Sequence, residues 1–296
     1  MNVPLANVNS LRETIVVEIF KAIGLPAQDW RSRLLEPLVW TPAQRFAELG
    51  ARFDQYVAQF GLRDAAHWAL PHFVKGIHVN HAEQIPGEGP LIIASNHPGT
   101  FDSLAITASI PRPDLKIIAS ALPFIRGLPA TANHLIYTTL NPHERMTVIR
   151  SAIRHLAQGG ALLIFPSGNI DPDPEIMPDE AEQALEGWSP SIEIMLRRVP
   201  QTRVVVTIIR GVLAPVCLRN PLTRLRKHLR DQQRIAEFIQ VIQQMLHGQR
   251  YGLVPRITFG QPISLYELIQ YSDKRNNLLQ VILSNARHLL TTQGRG

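Results

Sequence analysis

Four short apolar runs constrain the fold of this chain more than any other feature of its sequence. They are LIIAS at residues 91–95, KIIAS at 116–120, ALLIF at 161–165 and VVVTII at 204–209. Runs of this length with almost no polar side chain are typical of strands that are buried on both faces of a sheet. Helical patterns lie between them, so the sequence predicts an α/β fold with a mostly parallel central sheet flanked by helices.

The first 72 residues contain no such run and are predicted to be helical throughout. A capping box at Ser10 and Glu13 opens one helix, and Thr41-Pro42 opens a second helix that ends at Gly61. We therefore predict an N-terminal all-helical region at residues 1–72 and an α/β domain at residues 73–296. A chain of 296 residues is long enough to bury a substantial core.

The charged residues are distributed unevenly along the chain. Residues 171–186 contain seven acids, three prolines and no Lys or Arg, which favours an exposed loop, with a lid as the alternative. Residues 219–234 contain six bases and one acid. They lie in a helical pattern predicted at residues 222–246, with Leu222, Leu225 and Leu246 among the inward-facing positions.

A basic amphipathic helix of this kind suits an anionic membrane, a phosphorylated cofactor, nucleic acid or simply solvent. Nucleic acid is the weakest of these predictions, because the segment lacks interleaved aromatic residues and a reader motif. The single cysteine, Cys217, is typical of a reducing compartment, and no apolar stretch reaches the roughly 20 residues of a spanning helix. We expect a cytoplasmic protein, with residues 219–234 as the candidate for peripheral membrane contact.

A histidine and a carboxylate lie at the junction of the first apolar run and the next helix, in SNHPGTFD at residues 95–102. Pro98 biases His97 towards an extended backbone at the end of the strand, and Asp102 falls in the first helical turn, where the helix dipole favours a charged carboxylate. Such a pair can deprotonate a substrate hydroxyl without a protein nucleophile. Taken alone, this spacing is a weak signal, and it favours a structural histidine.

The surrounding sequence reverses that interpretation. Asn96, His97 and Asp102 form an Asn-His-x-x-x-x-Asp block after a buried strand, and Phe165-Pro166-Ser167-Gly168-Asn169 follows a later strand. With LPFIRGLP at residues 122–129 and FGQPI at 259–263, this order closely resembles the lysophospholipid and glycerol-3-phosphate acyltransferase family. The resemblance covers about residues 74–268 and leaves the N-terminal helices outside it.

The resemblance implies transfer of a fatty acyl group from acyl-CoA or acyl-carrier protein to a hydroxyl of a glycerol-phosphate, a lysophospholipid or another lipid-like acceptor. His97 would take the hydroxyl proton and Asp102 would orient it, so that the acceptor oxygen attacks the thioester directly, without an acyl-enzyme. No metal and no bound cofactor are implied. The residues expected to bind substrate are Asn96, Thr138, Thr139, Phe165, Pro166, Ser167 and Gly168.

Two positions depart from the family pattern. The family carries an Arg between the two motifs, and counted back from ALLIF its position falls at Thr138 or Thr139 of this chain. In the motif that follows ALLIF, the family carries a Glu where this chain has Ser167. Both residues help the family to bind the phosphate of the acceptor, so the acceptor stays open, and a hydroxyl-lined pocket suits a different lyso-lipid, alcohol or amine. The alternative function is a catalytically inactive module of the same fold that binds lipid or acyl-CoA. The donor, the acyl-chain length and the oligomeric state also stay open.

Overall fold

An eight-stranded sheet forms the centre of the molecule in a computed structural model, which describes residues 5–25, 29–138, 142–271 and 277–292. The spatial order of the strands is β1-β7-β6-β2-β5-β3-β4, and β8 pairs with β6. The strands are β1 (His78–Asn80), β2 (Leu91–Ser95), β3 (Lys116–Ser120), β4 (Leu135–Thr138), β5 (Ala161–Ile164), β6 (Arg203–Arg210), β7 (Arg256–Phe259) and β8 (Ile263–Ser264).

The helices lie before the sheet in the chain, between its strands and after it. They are α1 (Val8–Ile23), α2 (Trp30–Phe60), α3 (Leu62–Ala69), α4 (Asp102–Ser109), α5 (Pro123–Arg126), α6 (Pro129–Ala132), α7 (Pro142–Ala157), α8 (Pro178–Ala184), α9 (Ser191–Arg198), α10 (Pro215–Leu218), α11 (Leu229–His247), α12 (Leu265–Tyr271) and α13 (Leu278–Thr292). Single 3₁₀ segments lie at Leu70–His72, Ala82–Gln84, Leu185–Gly187 and Pro221–Leu225.

The sheet is mostly parallel, which confirms the predicted fold class. β2 pairs in parallel with β5 on one side and β6 on the other, and only the pairings of β6 with β7 and β8 are antiparallel among the described strands. Side chains of β2 alternate between two cores: Leu91 and Ile93 pack into one, Ile92 and Ala94 into the other. Helices therefore cover both faces of the sheet, which explains the continuous apolar character of its central strands.

The described elements up to His72 are all helical, as predicted, but two helix starts differ. α1 begins after Asn7, whose side chain accepts from the Ser10 amide at 3.1 Å, so Asn7 and not Ser10 is the N-cap. α2 begins after Asp29 and continues through Pro37 and Pro42. Each proline leaves one backbone carbonyl without its helical donor, and solvent can hydrate such a group on an exposed turn. The division into two domains at residue 72 stays a prediction.

The helix predicted at residues 222–246 is wrong at its beginning. A 3₁₀ segment at Pro221–Leu225 comes first, and α11 begins only at Leu229. Leu222, Leu225 and Leu246 are exposed rather than inward-facing, and polar residues occupy much of the buried face of α11. The prediction failed because Asn220 and Pro221 start a separate turn, in which the Asn220 side chain accepts from the Leu222 amide.

Candidate active site

His97 and Asp102 are in direct contact at the carboxyl end of β2. The strand ends at Ser95, α4 begins at Asp102, and His97 Nδ1 lies 2.8 Å from Asp102 Oδ2. The same carboxylate oxygen accepts from the Gly99 amide at 2.9 Å, which closes the turn between them. Asp102 is fully buried, whereas the His97 side chain is 30% exposed. The arrangement holds the imidazole by Nδ1, and Nε2 has no hydrogen-bond partner among the described residues.

The order of the strands explains why this position is accessible to a ligand. From β2 the chain crosses to β3 on one side, while β6 lies on the other side of β2. In parallel sheets, such a reversal leaves a crevice at the carboxyl ends of the central strands, and ligands bind there. Phe165 follows the adjacent strand β5, and its ring stacks on that of His97 with centroids 4.4 Å apart.

The amide side chain of Asn96 faces β6 rather than the open side of His97. Its Nδ2 donates to the Ile209 carbonyl at 2.8 Å, and its Oδ1 accepts from the Ile209 amide at 2.9 Å. Asn96 is buried and both of its functional atoms are engaged. Its contacts therefore support a role in positioning the His97 backbone, and the predicted contact with substrate stays a prediction.

Asp171 connects the loop after β5 to the backbone of His97. Its Oδ2 accepts from the His97 amide at 2.9 Å, and its own amide donates to the His97 carbonyl at 2.8 Å. Two residues later, the buried carboxylate of Asp173 accepts from the amides of Gly211, Val212 and Leu213. The predicted exposed loop is wrong at its beginning, because these two acids turn inward to accept from backbone N–H groups, and wrong from Pro178 onward, where α8 and a 3₁₀ segment replace it.

Glu237 on α11 is a third buried acid of the site, and sequence reasoning missed it. Its Oε2 accepts from the Thr100 hydroxyl at 3.0 Å, inside the turn between His97 and Asp102. Gln233, one helical turn earlier, donates to the carbonyls of Pro98 and Asp171 at 2.8 Å. Polar side chains such as Gln233 and Glu237, just after a run of basic residues, usually belong to a solvated helix face, so no signal in the sequence indicated these contacts.

Burial and neighbouring charges shift the pKa values of His97, Glu237 and Asp171. Burial opposes the charged form of His97, but Asp102, Glu237 and Asp171 outweigh burial and raise the pKa of His97 to about 9. Burial raises the pKa of Glu237 to about 8, although His97 and the Thr100 hydroxyl act against this shift. Burial likewise raises the pKa of Asp171 to about 6, against the effect of the His97 amide. The free site therefore favours an imidazolium at neutral pH.

The other predicted residues lie in the loop after β5 and at the end of β4. Pro166 is buried, and its carbonyl accepts from the Ser189 amide at 2.9 Å. The Ser167 hydroxyl donates to the Asn169 carbonyl at 3.0 Å, and Gly168 has a φ of 64°, a conformation that favours glycine. Thr138 ends β4, three strands from β2 and therefore about 14 Å away across the sheet. Thr139 lies outside the described residues.

No three His, Cys, Asp or Glu side chains in the described part of the chain are arranged to hold a metal ion. Across the same residues, no helix is both long and apolar enough to cross a membrane.

A search of curated proteins found no match. Among solved structures, the chain is similar to the 1-acyl-sn-glycerophosphate (LPA) acyltransferase PlsC from Thermotoga maritima. The TM-score is 0.46 at 13% sequence identity, and the alignment covers 97% of this chain and 100% of that chain.

The family model described as Acyltransferase matches residues 76–184. The matched range begins before β1 and extends into α8, so it contains both His97 and Asp102 as well as the loop from Phe165 to Asp171. The FGQPI stretch at residues 259–263, which the sequence comparison included, lies outside it. Residues 76–184, about a third of the chain, therefore match the acyltransferase family, and this match confirms the family that the sequence resembles.

Proposed function

We propose that this protein is an O-acyltransferase that moves a fatty acyl group from acyl-CoA or acyl-carrier protein to a hydroxyl of a glycerol-phosphate, a lysophospholipid or another lipid-like acceptor. The observation that carries the proposal is the contact of His97 Nδ1 with Asp102 at 2.8 Å, at the carboxyl ends of β2 and β5, where open α/β sheets bind their ligands. This contact fixes the ring proton on Nδ1 and leaves the Nε2 lone pair for a substrate.

The reaction follows from this geometry as a direct transfer. Nε2 of neutral His97 takes the proton of the acceptor hydroxyl while the oxygen attacks the carbonyl carbon of the thioester. The carbon–sulfur bond then breaks, and the departing thiolate takes the proton from the imidazolium. Asp102 stabilises the imidazolium while it exists, and the stacked ring of Phe165 limits its rotation. The protein itself forms no covalent bond.

The acid-rich surroundings of His97 bear on the acceptor. In the described part of the chain, no Lys or Arg side chain forms an ion pair with Asp102, Asp171 or Glu237, and Arg234 acts on Glu237 only from a greater distance on the same helix. A phosphate group next to the Asp102 and Asp171 carboxylates would be repelled, whereas Glu237 holds its proton up to about pH 8 and adds little charge at neutral pH. We propose that acceptors without a phosphate near the reacting hydroxyl are preferred, and that a phosphate elsewhere on the acceptor lies away from both His97 and Asp171.

The test is an acyl-transfer assay with a panel of acceptors. Purified protein receives acyl-CoA or acyl-carrier protein together with glycerol 3-phosphate, several lysophospholipids, or neutral lipid alcohols, and the released thiol is measured from pH 6 to pH 10. We expect thiol release that requires an acceptor and that His97→Ala abolishes. His288→Ala is the matched control, because it removes an exposed histidine of α13. Release without any acceptor, or equal release by His97→Ala, would contradict the proposal.

The inactive binding module is the second candidate, and one observation favours it: the acids around His97 hold the ring protonated at neutral pH. Such a module would bind acyl-CoA without releasing thiol at any pH. The same assay separates the two functions, provided that acyl-CoA binding is measured in parallel by calorimetry.

We also propose that the basic segment, residues 219–234, contacts an anionic membrane. Leu222 and Leu225 are 52% and 66% exposed, and they alternate with exposed Arg224 and Lys227. The first part of α2 also exposes apolar side chains, since Trp30, Leu34 and Leu38 are each more than 60% exposed. Apolar side chains beside cations are typical of helices that lie on anionic bilayers.

Cosedimentation with vesicles tests the membrane proposal. Arg226 is excluded from the substitutions because its guanidinium donates to the Ala22 carbonyl at 2.8 Å and holds the end of α1. We expect the triple change of Arg219, Arg224 and Lys227 to Gln to weaken binding to vesicles that contain phosphatidylserine. The control changes Arg150, Arg154 and Arg198, which are equally exposed on α7 and α9. Equal loss in both variants would contradict the proposal.

A further inference from the structure

Glu237 is a buried carboxyl group that the proposed reaction does not use. It is 6% exposed and belongs to α11, which the acyltransferase-family match does not include. Its Oε2 is engaged by the Thr100 hydroxyl, but its Oε1 has no hydrogen-bond partner among the described residues. A buried acid is costly to a fold unless neighbouring groups compensate for the lost hydration. Its position beside the turn from His97 to Asp102, called the catalytic turn below, therefore requires an explanation.

The surroundings of Glu237 show that α11 supports the His97–Asp102 turn. Gln233 contacts the turn at the Pro98 carbonyl, and Glu237 contacts it at the Thr100 hydroxyl. Between these two points, a Cβ added at Gly99 would lie 3.2 Å from Val212 Cγ2 and 4.0 Å from the Glu237 carboxyl carbon. The turn is thus packed against α11 and the residues after β6, with no room for a larger side chain.

We propose that Glu237 is a positioning residue for His97: its carboxyl group fixes Thr100 in the middle of the catalytic turn and places a titratable acid next to the imidazole. This inference rests on the proposed acyltransferase function for its kinetic consequences only. Glu237 touches neither substrate nor the reacting atoms, so it acts through the turn and through its charge.

The charge of Glu237 acts on His97 together with other groups that face the ring. These are Asp102 from α4, Asp171 from the loop after β5 and Glu237 from α11. Glu237 in turn is influenced by His97, Asp102 and Arg234, the last from its own helix. Ionisation of Glu237 stabilises the imidazolium and delays the formation of neutral His97 as the pH rises. Removal of this charge should therefore lower the pKa of His97, so that the neutral ring forms at lower pH.

Two substitutions separate the hydrogen bond from the charge. Glu237→Gln keeps an acceptor for Thr100 but removes the charge, so we expect the acidic limb of the pH profile of kcat/KM to move down by at least about half a unit. The gain in kcat/KM is roughly threefold between about pH 8, where the wild-type Glu237 ionises, and about pH 9, where His97 titrates. It disappears at lower pH, because the wild-type Glu237 is then neutral as well. Thr100→Val removes the hydrogen bond and keeps the carboxyl group, so we expect kcat to fall several-fold with little change in KM, and the limb to move less than in Glu237→Gln. Glu180→Gln, the same change on exposed α8, is the control.

The titration of His97 followed by NMR gives a readout that does not depend on activity. A lower His97 pKa in Glu237→Gln, absent in Glu180→Gln, supports the proposal, and an unchanged pKa overturns it. If Glu237→Gln does not fold, Thr100→Val decides: a fall in kcat supports the proposal, and wild-type kcat overturns it. Wild-type protein that transfers no acyl group to any acceptor would refute the proposed function, while the NMR titration would still test the role of Glu237.

Discussion

Asp102→Asn is the most informative single substitution in this site. Asp102 Oδ2 accepts from both His97 Nδ1 and the Gly99 amide, and the side chain is fully buried. Asparagine has nearly the same shape, so the turn can be kept while the charge is lost. Its amide group can also donate to Nδ1, which would move the ring proton of His97 to Nε2 and remove the lone pair that the proposed reaction requires.

The size of the effect follows from the titration of His97. Burial acts against the imidazolium, yet the pKa of His97 is raised from 6.5 to about 9, and Asp102 contributes most to that rise. A rise of this size corresponds to about 3 kcal/mol in favour of the charged ring. Loss of this stabilisation slows the step that forms the imidazolium by about 10²-fold, and the wrong tautomer extends the loss towards about 10⁴-fold.

The assay measures kcat/KM for thiol release with the best acceptor of the panel, in parallel with the NMR titration of His97. We expect kcat/KM to fall by between about 10²-fold and about 10⁴-fold, together with a lower His97 pKa. Asp179→Asn is the matched control, because it removes an exposed carboxylate from α8. The reasoning would be refuted by a variant that keeps more than about a tenth of wild-type kcat/KM while His97 titrates as in the wild type.

Three further predictions concern pH and stability. The kcat/KM of the wild type should rise with pH and level off near the His97 pKa of about 9, because the base must be neutral; a profile that is flat between pH 6 and pH 9 would contradict this. The raised pKa of Glu237 means that the folded state holds a proton which the unfolded state releases above about 4.5. Its contribution to the free energy of unfolding should therefore be fully present below pH 4.5 and be lost as the pH rises through about 8, and chemical denaturation of Glu237→Gln should show a weaker pH dependence than the wild type in this window. Asp173→Ala should lower the free energy of unfolding by about 3 kcal/mol or more, because three buried backbone amides lose their acceptor; a loss equal to that of exposed Asp179→Ala would show that water replaces the carboxylate.

Much of the fold was predictable from short stretches of sequence. The runs at residues 91–95, 116–120, 161–165 and 204–209 all form strands at or within one residue of their predicted bounds. They were recognisable because a strand buried on both faces must be apolar at every position. β4 was missed, since a four-residue strand at the edge of the sheet is half-buried and carries no such pattern. The start of α2 was missed because proline is a signal for a helix start, and here two prolines lie inside the helix.

The residues of the candidate site also divide into those that the sequence could predict and those that only the tertiary structure brings together. His97 and Asp102 are five residues apart, so the local turn and the start of α4 bring them together, and their pairing could be inferred from the order of residues alone. Asp171 and Glu237 lie 74 and 137 residues from their partners in the turn. Nothing near them in the chain distinguishes them from solvated acids. Their burial and their effect on His97 arise only when the sheet and α11 pack together, because electrostatic interactions depend on distance in space and on exclusion of water rather than on separation along the chain.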